Sequence, residues 1–91
     1  MMRVKILNRL WNLRFALNMT NRGDCDPPEK PGKEIRISSR LRGEARLGVL
    51  IYELVHAAGW HIDEKVAEQF AGDTARVLWR LGYRSQEFRG E

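Results

Sequence analysis

The chain has 91 residues, a net charge of +4 and a single cysteine. This length allows one domain with a small core, and no apolar run approaches the roughly 20 residues that a membrane-spanning helix needs. Cys25 alone excludes an intrachain disulfide and a cysteine-based zinc knuckle, since each requires a second thiol. No apolar signal segment follows the charged start of the chain, so we expect a cytoplasmic protein that does not associate with membranes.

Two strands joined by a hairpin bend are predicted over about residues 3–16. Trp11, Leu13 and Phe15 alternate with polar residues, which is the period of a strand with one buried face. The bend is expected at Asn8-Arg9.

A loop and a further strand follow. Residues 21–32 contain three Pro together with Gly, Asn and Asp, and these turn formers predict a loop. In residues 34–38, Ile35 and Ile37 point to one face and Arg36 to the other, so this segment is expected to form an edge strand.

Two helices are predicted in the second half, over about residues 44–58 and 63–81, because the apolar period changes there from two to about 3.6. Asp63 is the expected N-cap of the second helix and Gly82 the residue after its end. The apolar stripe of the first helix consists of Leu47, Leu50, Ile51, Leu54, Val55 and Ala58. The stripe of the second consists of Val66, Ala67, Phe70, Ala71, Thr74, Val77, Leu78 and Leu81.

This order of elements predicts an α+β fold in a single domain. An N-terminal β-hairpin and an edge strand would pack on two C-terminal helices, since strands and helices are segregated along the chain. Oligomeric state is left open.

The segment from Tyr52 to His56 differs at one position from the zinc-protease helix motif H-E-x-x-H, because Tyr52 stands where the first His belongs. In the intact motif, two His at i and i+4 share one helix face and hold Zn²⁺, and the Glu between them polarises a metal-bound water. Glu53 and the second His, His56, are present.

With a strand before it and a helix after it, this segment resembles the minimal zincin core, specifically the small SprT-like or phage-type predicted metallopeptidase domains. The resemblance covers most of residues 35–84 and implies a zincin-like minimal core. It makes Glu53, as general base, and Tyr52 the candidate catalytic residues, and His56 a zinc ligand.

The resemblance also implies a third zinc ligand beyond His56. His61, Glu64 and Glu68 are the candidates. His61 is one position from the place where longer zincin signatures carry their third His. A carboxylate from the following helix is the other zincin arrangement, and Glu64 is slightly preferred for it.

Tyr52 weakens the expected metal site. A catalytic zinc site needs three protein ligands and an open position for water. A Tyr hydroxyl, with a pKa near 10, must lose its proton before it binds a metal, whereas imidazole is already neutral at pH 7. We therefore expect a degenerate zincin metallopeptidase-like domain that holds zinc weakly or not at all. Hydrolysis of a peptide or protein substrate would be weak or absent, and an active form would be a zinc-dependent peptidase.

The same residues also have purely structural interpretations. Tyr52 would pack its ring in a cleft. Glu53 would be a solvated helix residue or the partner of an arginine such as Arg36 or Arg80. His61 would be a surface turn residue.

The charge distribution suggests a function of another class. Residues 1–46 hold eleven Lys and Arg against five Asp and Glu. This basic half would bind nucleic acid through phosphate contacts, or serve as an adaptor surface, unless it is simply a solvated face. The cations concerned are Lys30, Lys33, Arg36, Arg40, Arg42 and Arg46.

Overall fold

A computed structural model describes residues 2–85 of the chain and shows an α+β fold. The strands are β1 (Met2–Ile6), β2 (Arg9–Ala16), β3 (Gly23–Cys25) and β4 (Glu34–Ser38). The helices are α1 (Gly43–Ala58) and α2 (Glu64–Arg80). The predicted class is confirmed: a hairpin and a further strand precede two helices and pack with them.

β1 and β2 form an antiparallel hairpin, with Val4 opposite Trp11. Leu7 and Asn8 make the bend, one residue earlier than expected, and both have positive φ, 49° and 66°. Two consecutive left-handed residues are typical of a type I′ turn, whose twist matches that of the paired strands.

The four strands form one mixed sheet in the order β1-β2-β4-β3. β2 and β4 lie parallel at its centre, with Leu13 opposite Ile35. The prediction that residues 34–38 form an edge strand is therefore wrong, because β3 pairs with the other side of β4. Trp11, Ile35 and Ile37 are at most 1 % exposed and form the centre of the core. The alternation of apolar residues in the sequence therefore identified the buried face of both central strands correctly.

The structure places the short edge strand β3 inside the predicted loop, antiparallel to β4. An ion-pair network joins the two strands. Arg36 on β4 bonds Asp24, donates through Nη2 to Asp26 at 2.8 Å and through Nη1 to Glu34 at 2.8 Å. These ion pairs add to the main-chain pairing of β3 with β4, since the three residues of β3 show no apolar alternation.

α1 packs against the sheet and against α2, and its buried face differs from the predicted stripe. The buried residues are Arg46, Val49, Glu53 and Ala57, whereas the predicted leucines are only partly buried. A helix covered on two sides divides its apolar residues between both neighbours, so the centre of the apolar stripe does not mark the most buried side.

α2 faces α1 through small residues. Ala67, Ala71 and Ala75 are buried, while Val66, Phe70 and Val77 are more than half exposed. A Cβ added to Gly48 of α1 would lie 3.7 Å from Cβ of Ala75, so the helices approach closely at this point. The predicted stripe of α2 therefore contains two groups, alanines against α1 and larger residues facing outward.

Both ends of α2 follow the predicted capping. The Asp63 carboxylate accepts from the backbone N–H groups of Lys65 and Val66. At the other end, Gly82 has a φ of 91°, and the N–H of Tyr83 donates to the Leu78 carbonyl. Such a pairing closes a helix in a Schellman motif.

Across residues 2–85, no helix has the length and apolar character that crossing a membrane requires.

Candidate functional site

Glu53 projects from α1 toward β3 and is 5 % exposed. A Cβ on Gly23 would lie 3.3 Å from Oε2 of Glu53, 3.0 Å from the Arg36 carbonyl oxygen and 2.9 Å from Cγ1 of Val49. Glycine is thus needed at position 23 for β3 to pass so close to α1. Within residues 2–85, no hydrogen bond or ion pair reaches the Glu53 carboxyl group.

Glu53 lies in an open groove of about 760 Å³, which we name the Glu53 groove. Residues 21–23 form one wall, α1 the base and α2 the other wall. The polar residues that line it are Asn21, Arg22, Glu44, Tyr52, Glu53, Glu68 and Arg76. Its volume lies in the range of roughly 300–1,000 Å³ that is common for small-molecule sites.

The surroundings of Glu53 favour its neutral form. Burial, followed by the negative charge of Asp24, raises the pKa of Glu53 from 4.5 to about 7, against a smaller opposing effect of Arg36. A carboxyl group with a pKa close to the ambient pH both accepts and donates a proton readily. Because Glu53 is buried, its interpretation as a solvated helix residue is wrong. Arg36 does not pair with Glu53 either, because it bonds three other acids.

Tyr52 and His56 contact each other one helical turn apart. Their ring centroids are 4.6 Å apart and their planes cross at 74°, an edge-to-face arrangement. Burial raises the pKa of the Tyr52 hydroxyl, and the charges of Glu64, Glu53 and Glu68 act in the same direction. The phenol is therefore protonated at neutral pH. Tyr52 lines the Glu53 groove, whereas His56 is not among its lining residues.

The remaining candidate ligands, His61, Glu64 and Glu68, are exposed side chains. His61 is exposed in the turn before α2, and Glu64 is exposed in the first turn of that helix. Between residues 2 and 85, no three His, Cys, Asp or Glu side chains meet in an arrangement that would hold a metal ion. As placed, these donors do not form the three-ligand set of a catalytic zinc site. The weak or absent zinc site predicted from the sequence stays a prediction.

Cys25 lies beside this site, and its thiol is not suited to nucleophilic chemistry. Burial raises the pKa of Cys25 to about 12, and Glu53, Asp26 and Asp24 add to the shift. The thiol donates to the Asp26 carbonyl oxygen at 3.4 Å. Since the thiolate is the reactive form, this cysteine is unreactive at neutral pH.

Most of the basic residues considered for nucleic-acid binding interact within the chain. Arg36 is in the acidic network, Lys30 pairs with Asp26 at 3.4 Å, and the buried Arg46 stacks on Phe15. Lys33 lies over the Trp11 ring, and Arg42 bonds two backbone carbonyls. The structure therefore adds no support to the nucleic-acid alternative, which stays a prediction.

Gly23 and Asp24 are the site residues that the sequence did not reveal. Both fall in the segment interpreted as a loop, where glycine and aspartate are ordinary turn formers. Their importance depends on the approach of β3 to α1, which only the folded chain shows.

Comparison of the chain with protein-family models, with curated proteins and with solved structures finds no match.

Proposed function

We propose that the chain is a degenerate zincin metallopeptidase-like domain, weak or inactive in metal-dependent peptide hydrolysis. The observation that carries the proposal is the contact between Tyr52 and His56. A protonated phenol occupies the first ligand position of the motif and lies edge-on against the imidazole that would be the second ligand. A protonated phenol does not supply the anionic oxygen that zinc binds.

The position of Glu53 supports kinship with a hydrolase. This carboxyl group lies in the Glu53 groove, buried and without a bonding partner among residues 2–85, and its pKa is near neutrality. Buried acids without a structural partner are costly to keep, and they are concentrated at functional sites. The proposed role of Glu53 is that of the zincin general base, which without bound zinc would have no activated water to deprotonate.

A peptide is the substrate class that the proposal implies. β3 is an edge strand of the sheet, and its first residue, Gly23, lines the Glu53 groove. An extended peptide can pair with an exposed strand edge through main-chain hydrogen bonds. The groove would then hold the side chains of such a peptide.

Calorimetric titration with zinc tests the proposal. We expect the wild-type chain to bind zinc with a dissociation constant no tighter than about 1 μM, because no three suitable ligands meet among residues 2–85. Zinc binding far tighter than this, abolished by His56→Ala and accompanied by peptidase activity that Glu53→Gln removes, would show a functioning enzyme and contradict the proposal.

A further inference from the structure

A second groove shares none of its lining residues with the Glu53 groove, as far as residues 2–85 are concerned. It lies between the first turn of α1, the end of α2 and the β1–β2 hairpin, and has a volume of about 600 Å³. We name it the Trp79 groove. Its size falls within the range of roughly 300–1,000 Å³ typical of small-molecule sites.

The walls of the Trp79 groove are mainly apolar and aromatic. They come from the sheet, from α1 and from the end of α2, so the groove exists only in the folded chain. The principal apolar lining residues are Leu13, Phe15, Leu47, Leu50, Trp79 and Tyr83. Such walls favour a ligand with an apolar body.

Among residues 2–85, the charged side chains that line the Trp79 groove all have one sign. Arg42, Arg46 and Arg84 line it, and no Asp or Glu does among residues 2–85. Arg46 is 6 % exposed, and its guanidinium carbon lies 3.6 Å from the centroid of the Phe15 ring. Apolar walls have a low dielectric constant, so they focus the positive potential of charges that line the same groove.

Two of these guanidinium groups are held in place and retain free donors. The Arg84 guanidinium stacks 3.3 Å from the Trp79 ring centroid, and its Nη1 donates to the Trp79 carbonyl at 2.8 Å. Nη1 of Arg42 likewise donates to the Leu41 carbonyl at 3.0 Å. The Nε and Nη2 groups of both arginines have no partner among residues 2–85. A guanidinium group with its position fixed and its other donors unused is suited to a carboxylate.

We propose that the Trp79 groove binds a small amphiphilic anion, a molecule with an apolar chain and a carboxylate head. The chain would cover the apolar walls, and the carboxylate would accept hydrogen bonds from Arg42 and Arg84. This site is independent of Glu53 and of the proposed zincin kinship, so either proposal can fail without the other.

Calorimetric titration of the full chain with octanoate tests this site, with 1-octanol and octylammonium as ligands of equal chain length. Octanoate is expected to bind one per chain with a dissociation constant on the order of 1 mM or below. The alcohol should bind at least about tenfold more weakly, since it lacks the charge-assisted hydrogen bonds. Octylammonium should not bind. Equal affinity for octanoate and octanol would overturn the proposal.

Arginine variants locate the site. Arg42→Gln and Arg84→Gln, both at exposed positions, should each weaken octanoate binding about tenfold and leave octanol binding unchanged. Arg9→Gln removes one exposed positive charge outside the groove and should have no effect. An equal loss of affinity in all three variants would indicate general charge attraction and contradict the proposal.

Sedimentation of the chain tests the other possible occupant of the groove, a second copy of the chain. A dimer that Trp79→Ala dissociates would show that this second copy covers the Trp79 groove, and it would overturn the proposal.

Discussion

Glu53 is a buried acid that lowers the stability of the fold in its charged form. Its pKa is about 7 in the folded chain against an ordinary 4.5, mainly because burial disfavours the carboxylate. The folded state therefore keeps a proton that the unfolded state releases. The contribution of the neutral Glu53 carboxyl group to the free energy of unfolding is fully present below pH 4.5 and is lost as the pH rises through about 7.

Replacement of Glu53 by glutamine is expected to remove this loss. Gln has the shape of the neutral acid and does not ionise, so Glu53→Gln should raise the free energy of unfolding at pH 8 by on the order of 2–3 kcal/mol. At pH 4 the change should be small. Chemical denaturation at a series of pH values measures both. Glu44→Gln, at an exposed residue of the same helix and groove, is the matched control and should not give the stabilisation at pH 8 that Glu53→Gln gives. A wild-type stability that is flat from pH 5 to 8 would contradict the assignment of Glu53 as a buried acid.

The two glycines at positions 23 and 72 should respond oppositely to alanine. Gly23→Ala places a Cβ within 3.0 Å of Arg36 backbone, so β3 or α1 must shift, and we expect a loss of about 1–3 kcal/mol. Gly72→Ala meets nothing within 4 Å on the exposed face of α2 and should gain up to about 1 kcal/mol of helix propensity. Thermal unfolding measures both changes. A gain in Gly23→Ala would mean that β3 does not pass so close to Glu53.

Residue identity and burial were predictable to different extents. The motif directed attention to Glu53, Tyr52 and His56, and the structure brings the two rings into contact. Burial of Glu53 was not predictable, because a charged residue on a partly polar helix face ordinarily remains in water. The position of Asp24, whose charge raises the pKa of Glu53, depends on a strand pairing that the local sequence does not signal.

At the scale of elements, the spacing of apolar residues was sufficient to predict β4 and both helices, but it did not predict the short strand β3. β4 was predicted with its observed bounds from the alternation of Ile35 and Ile37, and the helix bounds were predicted to within one residue. β3 has three residues and no apolar alternation, and its pairing with β4 is reinforced by the ion pairs of Arg36 with Asp24 and Asp26. Hydrophobic periodicity carries no information about such side-chain networks.

The crossing of α1 and α2 gives a prediction of its own. Gly48 has room for a methyl group against Ala75, at an ordinary contact distance of 3.7 Å, and for little more. Gly48→Ala should therefore be neutral or slightly stabilising, whereas Gly48→Leu should cost about 1–3 kcal/mol by forcing the helices apart. Denaturant unfolding of the two variants measures the difference. Equal stability of the Ala and Leu variants would contradict the close crossing.

At the scale of the whole molecule, the basic charge of the first half does not form an uninterrupted surface. Arg36 pairs with Asp26 and Arg46 stacks on Phe15, and the sequence alone could not show this because these partners lie ten or more residues away. Lys30 pairs with Asp26, four residues before it. Two arginines of this half, Arg42 and Arg46, line the Trp79 groove beside apolar walls.

We therefore expect the chain to bind nucleic acid no better than non-specifically. Fluorescence anisotropy with a labelled duplex and a labelled single strand should give dissociation constants of about 1 μM or weaker at physiological salt. Nanomolar binding that weakens steeply with added salt would instead favour a nucleic-acid-binding module. Arg40→Gln, which changes an exposed cation, would then be the first variant to weaken it.

The most direct test of the zincin kinship is the single change Tyr52→His, followed by a zinc titration. It restores the missing His of the motif one helical turn from His56, so a chain with a zincin-shaped cleft should gain at least about tenfold in zinc affinity over wild type. Tyr83→His adds a His at an exposed position outside the Glu53 groove and should produce no gain in zinc affinity. A Tyr52→His chain that folds normally and binds zinc no better than Tyr83→His would contradict the account.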